Sequence, residues 1–134
     1  MFYPLFAMVL LTTLVGLIAF RIRYKSVVDE EVGIKYFQVM EGEGIPKKVK
    51  QSTRCINNLF EVPMLFYVVG ILSIIYNETG LLQLSLAWLF VLFRCIHAYI
   101  LLTYNNVIHR MCAYWAAFFS MLCMWITIAV KLSL

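Results

Sequence analysis

Charge is scarce in this chain. Only 13% of its 134 residues are Asp, Glu, Lys or Arg, 63% are hydrophobic, and the mean hydropathy is +0.87. Soluble domains carry about a quarter charged and about half apolar residues, so this balance excludes a soluble globular protein and points to a membrane protein. A ten-residue alternation of apolar and polar positions is also missing, which excludes a transmembrane barrel and leaves helices as the spanning element. The four cysteines (Cys55, Cys95, Cys112, Cys123) show no C-x-x-C spacing. They read as small packing residues and give no sign of an oxidising compartment. With two histidines and no metal-ligand spacing, no metal site is expected. No basic stretch precedes the first apolar run, and that run is too long for a signal peptide, so none is expected. Internal repeats, transporter-like inverted symmetry and low-complexity tracts are lacking as well.

What is present is four apolar segments in a single membrane domain covering residues 1–134, an all-α four-helix bundle. The first, at about 2–20, is "FYPLFAMVLLTTLVGLIAF", closed by "RIRYK". The others lie at about 59–76, 81–104 and 111–130, with "NETG" as a turn between the second and third. Each is near the roughly 20 residues that a helix needs to cross ~30 Å of hydrocarbon. Residues 21–53 read as a partly ordered polar loop. Nothing breaks a helix from Lys47 onward, so the second span can begin inside that loop.

Eight of the eleven Lys and Arg residues lie between positions 21 and 54, and Arg110 lies in the last connection, whereas "NETG" carries no base. The excess of basic residues in short loops sets orientation. Loops 1–2 and 3–4 are therefore placed in the cytoplasm and both termini outside. The basic cluster is explained by this orientation rather than by nucleic-acid binding.

The polar residues converge at one depth. In the second span Arg54, Asn58 and Glu61 stand at i, i+4 and i+7 on one helical face, flanked by Asn57. In the third, Arg94, His97, Leu101, Tyr104 and Asn105 share a face. Arg21 and Arg23 end the first span, and Arg110 opens the fourth. A charge inside the hydrocarbon is costly unless paired or wet. Two readings are open. Either a cationic pocket facing the cytoplasm binds a carboxylate-bearing ligand, with five guanidiniums against Glu61, or Arg94 and Glu61 form a structural ion pair while the terminal arginines anchor in the lipid surface. The outer half reads as nearly featureless apart from Lys131.

"RCINNLFEVPMLFY" and "RCIHAYILLTYNNVIHR" together resemble the MAPEG superfamily, the membrane-associated proteins of eicosanoid and glutathione metabolism. The nearer likeness is to its small bacterial-type members, which points to a bacterial inner membrane rather than an organellar one. The resemblance covers the whole chain and implies a left-handed four-helix bundle assembled as a homotrimer. It further implies glutathione as co-substrate, held between neighbouring subunits in the cytoplasmic half. Carried over by position, Arg54, Asn58 and Glu61 match the helix-two glutathione contacts, and Arg94 and His97 match a helix-three R-x-x-H. Arg21 or Arg23 corresponds to the arginine that holds a glutathione carboxylate, and Arg110 to the one that stabilises the thiolate. Two departures stand out. Leu101 occupies one position of a helix-three tyrosine, with Tyr104 one turn lower on the same face, and Met111 follows Arg110 without a hydroxyl.

The resemblance thus implies glutathione transfer to lipophilic electrophiles, or reduction of lipid hydroperoxides, with membrane lipids and a lipophilic substrate as partners and no nucleic acid. The competing expectation is a non-catalytic membrane protein whose polar layer binds a small anion or stabilises the trimer.

Overall fold

A computed structural model describes residues 1–30, 32–39 and 44–133. Four long helices dominate: α1 (Phe2–Val28), α3 (Lys47–Ile75), α4 (Leu81–Leu102) and α5 (Val107–Ser133), with the single-turn α2 (Tyr36–Val39) between the first two. All four long helices are long and apolar enough to cross a membrane. At ~1.5 Å per residue, the 27 residues of α1 span roughly 40 Å. That overshoots the ~30 Å hydrocarbon layer and carries the helix ends into the polar surface.

The helices outrun the apolar segments. Hydropathy drops at Phe20, but "RIRYKSVV" contains no Gly or Pro, so α1 continues to Val28. Likewise α3 starts at Lys47, directly after Pro46, twelve residues before the apolar stretch. The expected loop of 21–53 therefore contracts to 29–46, because the apolar pattern marks the lipid boundary while backbone propensity marks the helix. The two short connections rely on asparagine. Asn77 and Asn105 adopt positive φ (53° and 48°), a conformation that asparagine tolerates better than most residues. Asn106 caps α5 by accepting the amides of Ile108 and His109 at 2.9 and 3.2 Å.

The most extensive pairing is α4 against α5, followed by α1 against α3. The core lies where they meet: Phe66 of α3 stacks on Phe90 of α4 with ring centroids 4.1 Å apart. Met8, Met121 and Met124 fill the space around them. Close approach depends on small residues. A Cβ at Gly70 would lie 2.5 Å from the Leu5 side chain, so Leu5 of α1 packs directly over this glycine of α3. Hydroxyls inside the spans fold back onto their own helices, as Thr12 does to the Met8 carbonyl (2.9 Å) and Ser120 to Ala116 (2.8 Å). Lipid offers them no other partner.

The outer surface is apolar. Leu14, Leu17 and Phe20 on α1 are 56%, 58% and 66% exposed. Such faces suit lipid or another subunit and would be untenable in water. Among the spans α1 is the least covered by its own chain.

The end of the bundle opposite the arginines is not featureless, contrary to the sequence expectation. Gln83, 1% exposed, donates to Ser73 Oγ at 2.8 Å and to the Met124 carbonyl at 3.3 Å, and accepts from Thr127 at 2.6 Å. One amide thus joins α3, α4 and α5. Beside it Lys131 pairs with Glu78 at 2.7 Å and donates to the Asn77 carbonyl at 3.2 Å.

Candidate functional site

The face of α3 bearing Arg54, Asn57, Asn58 and Glu61 forms one wall of a cavity of about 300 Å³ at the basic end. His97 and Leu101 of α4 form the second wall, and Arg110 of α5 the third. Helical spacing explains the first two walls: i, i+4, i+7 on α3 and i, i+4 on α4 project to one side. Antiparallel packing then brings the end of α4 beside the start of α3. A smaller cavity of about 240 Å³ lies next to it, between α3, α4 and α5, and shares Asn58, His97 and Arg110 with the first. These three side chains stand between the two spaces.

Arg110 is aimed by its own turn. Its Nη1 donates to Asn105 Oδ1 at 2.8 Å, and Asn105 is the residue whose positive φ closes the connection before α5. Arg110 is half-buried and reaches both cavities. A guanidinium held in this way keeps its remaining N–H donors free for an anion.

Arg94 is placed differently from the sequence expectation. It is fully buried, does not line the cavity, and makes no ion pair with Glu61, which is exposed. The one ion pair among the described residues is Lys131–Glu78. Instead Arg94 donates twice to Asn58, from Nη1 to Oδ1 at 3.3 Å and from Nη2 to the carbonyl oxygen at 2.5 Å. That carbonyl neighbours Leu59, whose own carbonyl loses its helical donor because Pro63 has no N–H. Arg94 can only donate, so Asn58 must turn its oxygen toward Arg94, which leaves its NH₂ for the cavity. Arg94 Nε has no partner among the described residues. Arg94 thus positions Asn58 from behind the cavity.

Tyr104 does not join the site either. Helix α4 ends at Leu102, and the turn through Asn105 swings Tyr104 off the face that helical extrapolation assigns to it. Its hydroxyl meets His109 Nδ1 at 3.2 Å in a separate groove beside Ile96, Ile100 and Cys112. Arg21 is exposed on α1 and away from the cavity. Arg23 is committed elsewhere: it donates to Thr53 Oγ1 at 3.1 Å and lies 6.0 Å from the Phe37 ring centroid.

Two roles escaped the sequence reading, which placed Asn105 on the polar face of the third span and did not single out Tyr114. Asn105 aims Arg110, and the "NN" before α5 was its available signal as a turn and cap pair. Tyr114, one turn beyond Arg110, lines the smaller cavity with its ring 6.0 Å from that of His97. It had no signal among so many aromatics. The cavity wall itself carries two arginines against one glutamate, so it is cationic with a single acidic point.

The sequence matches the MAPEG family over residues 1–130. The chain belongs to the MAPEG family. It is therefore an integral, multi-pass four-helix membrane protein of a family tied to glutathione and eicosanoid metabolism, whose members generally use glutathione. No curated protein and no solved structure matches the chain.

Proposed function

We propose that this MAPEG protein binds glutathione at its basic, cytoplasmic end, between the subunits of a homotrimer, and transfers it to lipophilic electrophiles drawn from the membrane. The observation that carries the reading is the cavity bounded by Arg54, Asn57, Asn58, Glu61, His97 and Arg110. Its guanidiniums suit the two carboxylates of glutathione, and Glu61 suits the ammonium group. Arg54 and Glu61 are exposed, and the same face of α3 continues as an apolar stripe through Met64, Val68, Ile71 and Ile75, also exposed. A neighbouring subunit covering that stripe would close the cavity. Arg23 is half-buried against Thr53 and Phe37 whereas Arg21 is exposed, so Arg21 is the helix-one arginine placed to reach a ligand across that interface.

In the reaction Arg110 favours the thiolate, whose proton leaves to solvent. The sulfur then attacks the electrophilic carbon, forming a carbon–sulfur bond as a leaving group departs with its electron pair or, at an activated double bond, as the π electrons shift to the neighbouring atom and take a proton from solvent. With a lipid hydroperoxide, two glutathione molecules would be oxidised to the disulfide as the peroxide is reduced to alcohol and water.

Glutathione titrated into the detergent-solubilised protein tests this reading. Binding at micromolar to millimolar concentration that is lost in Glu61→Gln and Arg54→Ala is expected; no binding at millimolar glutathione overturns it. Arg110→Ala should abolish the ultraviolet thiolate absorbance of bound glutathione while leaving the tripeptide bound. A binding-only function is favoured by one observation, that Leu101 and Met111 bring no hydroxyl to the sulfur. Bound glutathione without thiolate absorbance in the unmutated protein would decide for it.

A further inference from the structure

The basic end holds another cavity with a different chemistry. It lies where the last turns of α1 meet the first turn of α3 and has a volume of about 360 Å³. Lys25, Ser26 and Asp29 line it from one side, and Lys47, Lys48 and Val49 from the other. Three ammonium groups against one carboxylate leave a formal charge of +2. None of the three lysines is in an ion pair among the described residues, whose one pair, Lys131–Glu78, is at the far end of the bundle. The Ser26 hydroxyl is already spent on the Arg23 carbonyl at 2.9 Å, which leaves recognition to the lysines. Like charges converging on a concave wall repel one another unless an anion sits between them.

The depth of this cavity identifies the anion's source. Immediately before Lys25, on the side of α1 turned away from the bundle core, Tyr24 stacks on Phe20 with ring centroids 6.4 Å apart, both exposed. Tyrosine at the end of an apolar helix marks the level of the lipid headgroups. Below Lys25 on its own helical face, α1 presents Ile18, half-buried, and Leu14, exposed, a surface along which an acyl chain can lie. The cavity thus opens where an apolar helix face ends and a lysine cluster begins.

We propose that this cavity binds the phosphate headgroup of an anionic membrane lipid, with the lipid's chains running along α1. A soluble phosphate would meet the same lysines, but without the membrane to concentrate it there. At about 1 kcal/mol for each lysine near a membrane surface, three lysines correspond to a preference on the order of a hundredfold. The proposal is independent of glutathione binding.

Native mass spectrometry of the full-length protein, released from bilayers of mixed phosphatidylglycerol and phosphatidylcholine, tests it. The unmutated protein should retain phosphatidylglycerol selectively, and Lys25→Gln/Lys47→Gln/Lys48→Gln should lose most of that selectivity. Lys131→Gln, at the far end, should retain it. Equal retention by the triple variant overturns the proposal, as does retention of both lipids without preference. If the triple variant does not fold, Asp29→Asn decides instead. Removing the one acid should raise phosphatidylglycerol retention a few-fold, and unchanged or lower retention overturns the site. Millimolar inorganic phosphate should leave the lipid bound; complete displacement would assign the cavity to free phosphate and overturn the lipid assignment.

Discussion

The two ends of the bundle answer polarity in opposite ways. At the end away from the arginines, Gln83 is matched donor for acceptor by Ser73, Thr127 and the Met124 carbonyl, and Lys131 has Glu78. At the basic end, Arg54, Glu61 and Arg110 surround a cavity without an ion pair among the described residues, and Arg94 is buried with its Nε likewise unmatched among them. A closed network of this kind joins helices, because each member's hydrogen-bonding capacity is used within the protein. An open one keeps capacity in reserve for a ligand. The contrast separates structural polarity from functional polarity in one small membrane protein.

The strongest test of this contrast is Arg94→Ala. It removes a buried side chain and both contacts to Asn58, so a stability loss of about 3 kcal/mol is expected in reversible denaturation in detergent. Adding Glu61→Leu should restore nothing, since the two residues are not paired. Arg94→Lys should also fail to restore the parent, because a single ammonium cannot span both Asn58 oxygens as a planar fork does. A double variant as stable as the parent would revive the ion-pair reading. Gln83→Leu should cost about 1 kcal/mol, the usual scale for polar contacts between membrane helices, and leave glutathione affinity unchanged. Ser73 and Thr127 keep their intrahelical acceptors in that variant, which holds the loss down. Lys131→Gln breaks the exposed pair with Glu78 and should shift stability by less than about 0.5 kcal/mol.

Much of the site was legible because helical periodicity is local. The spacing of Arg54, Asn58 and Glu61 placed them on one face before any packing was known, and all three line the cavity. His97 followed by the same rule. Arg94 shares the face of His97 at i+3, yet one lines the cavity and the other lies behind it. What separates them is the crossing of α4 with α3, where the Asn58 carbonyl captures the guanidinium, and no spacing rule contains a crossing. Tyr104 illustrates a different limit: extrapolating a helical face fails once the helix stops, and the turn at Asn105 redirects everything beyond Leu102. Gln83 was overlooked for a simpler reason. A single uncharged amide three residues into an apolar run reads as tolerance, and only its three partners show it to be a junction.

The amino-acid sequence by itself determined that this chain has four membrane-crossing helices, which of their faces are polar, and that it belongs to the MAPEG family. These depend on composition, on a 3.6-residue period and on short motifs, all properties of contiguous residues. Which polar groups satisfy one another and which stay free was decided only by the tertiary structure. Hydrogen bonds in a membrane bundle are completed across helices, and partners such as Arg94 and Asn58, 36 positions apart, meet only when the helices pack.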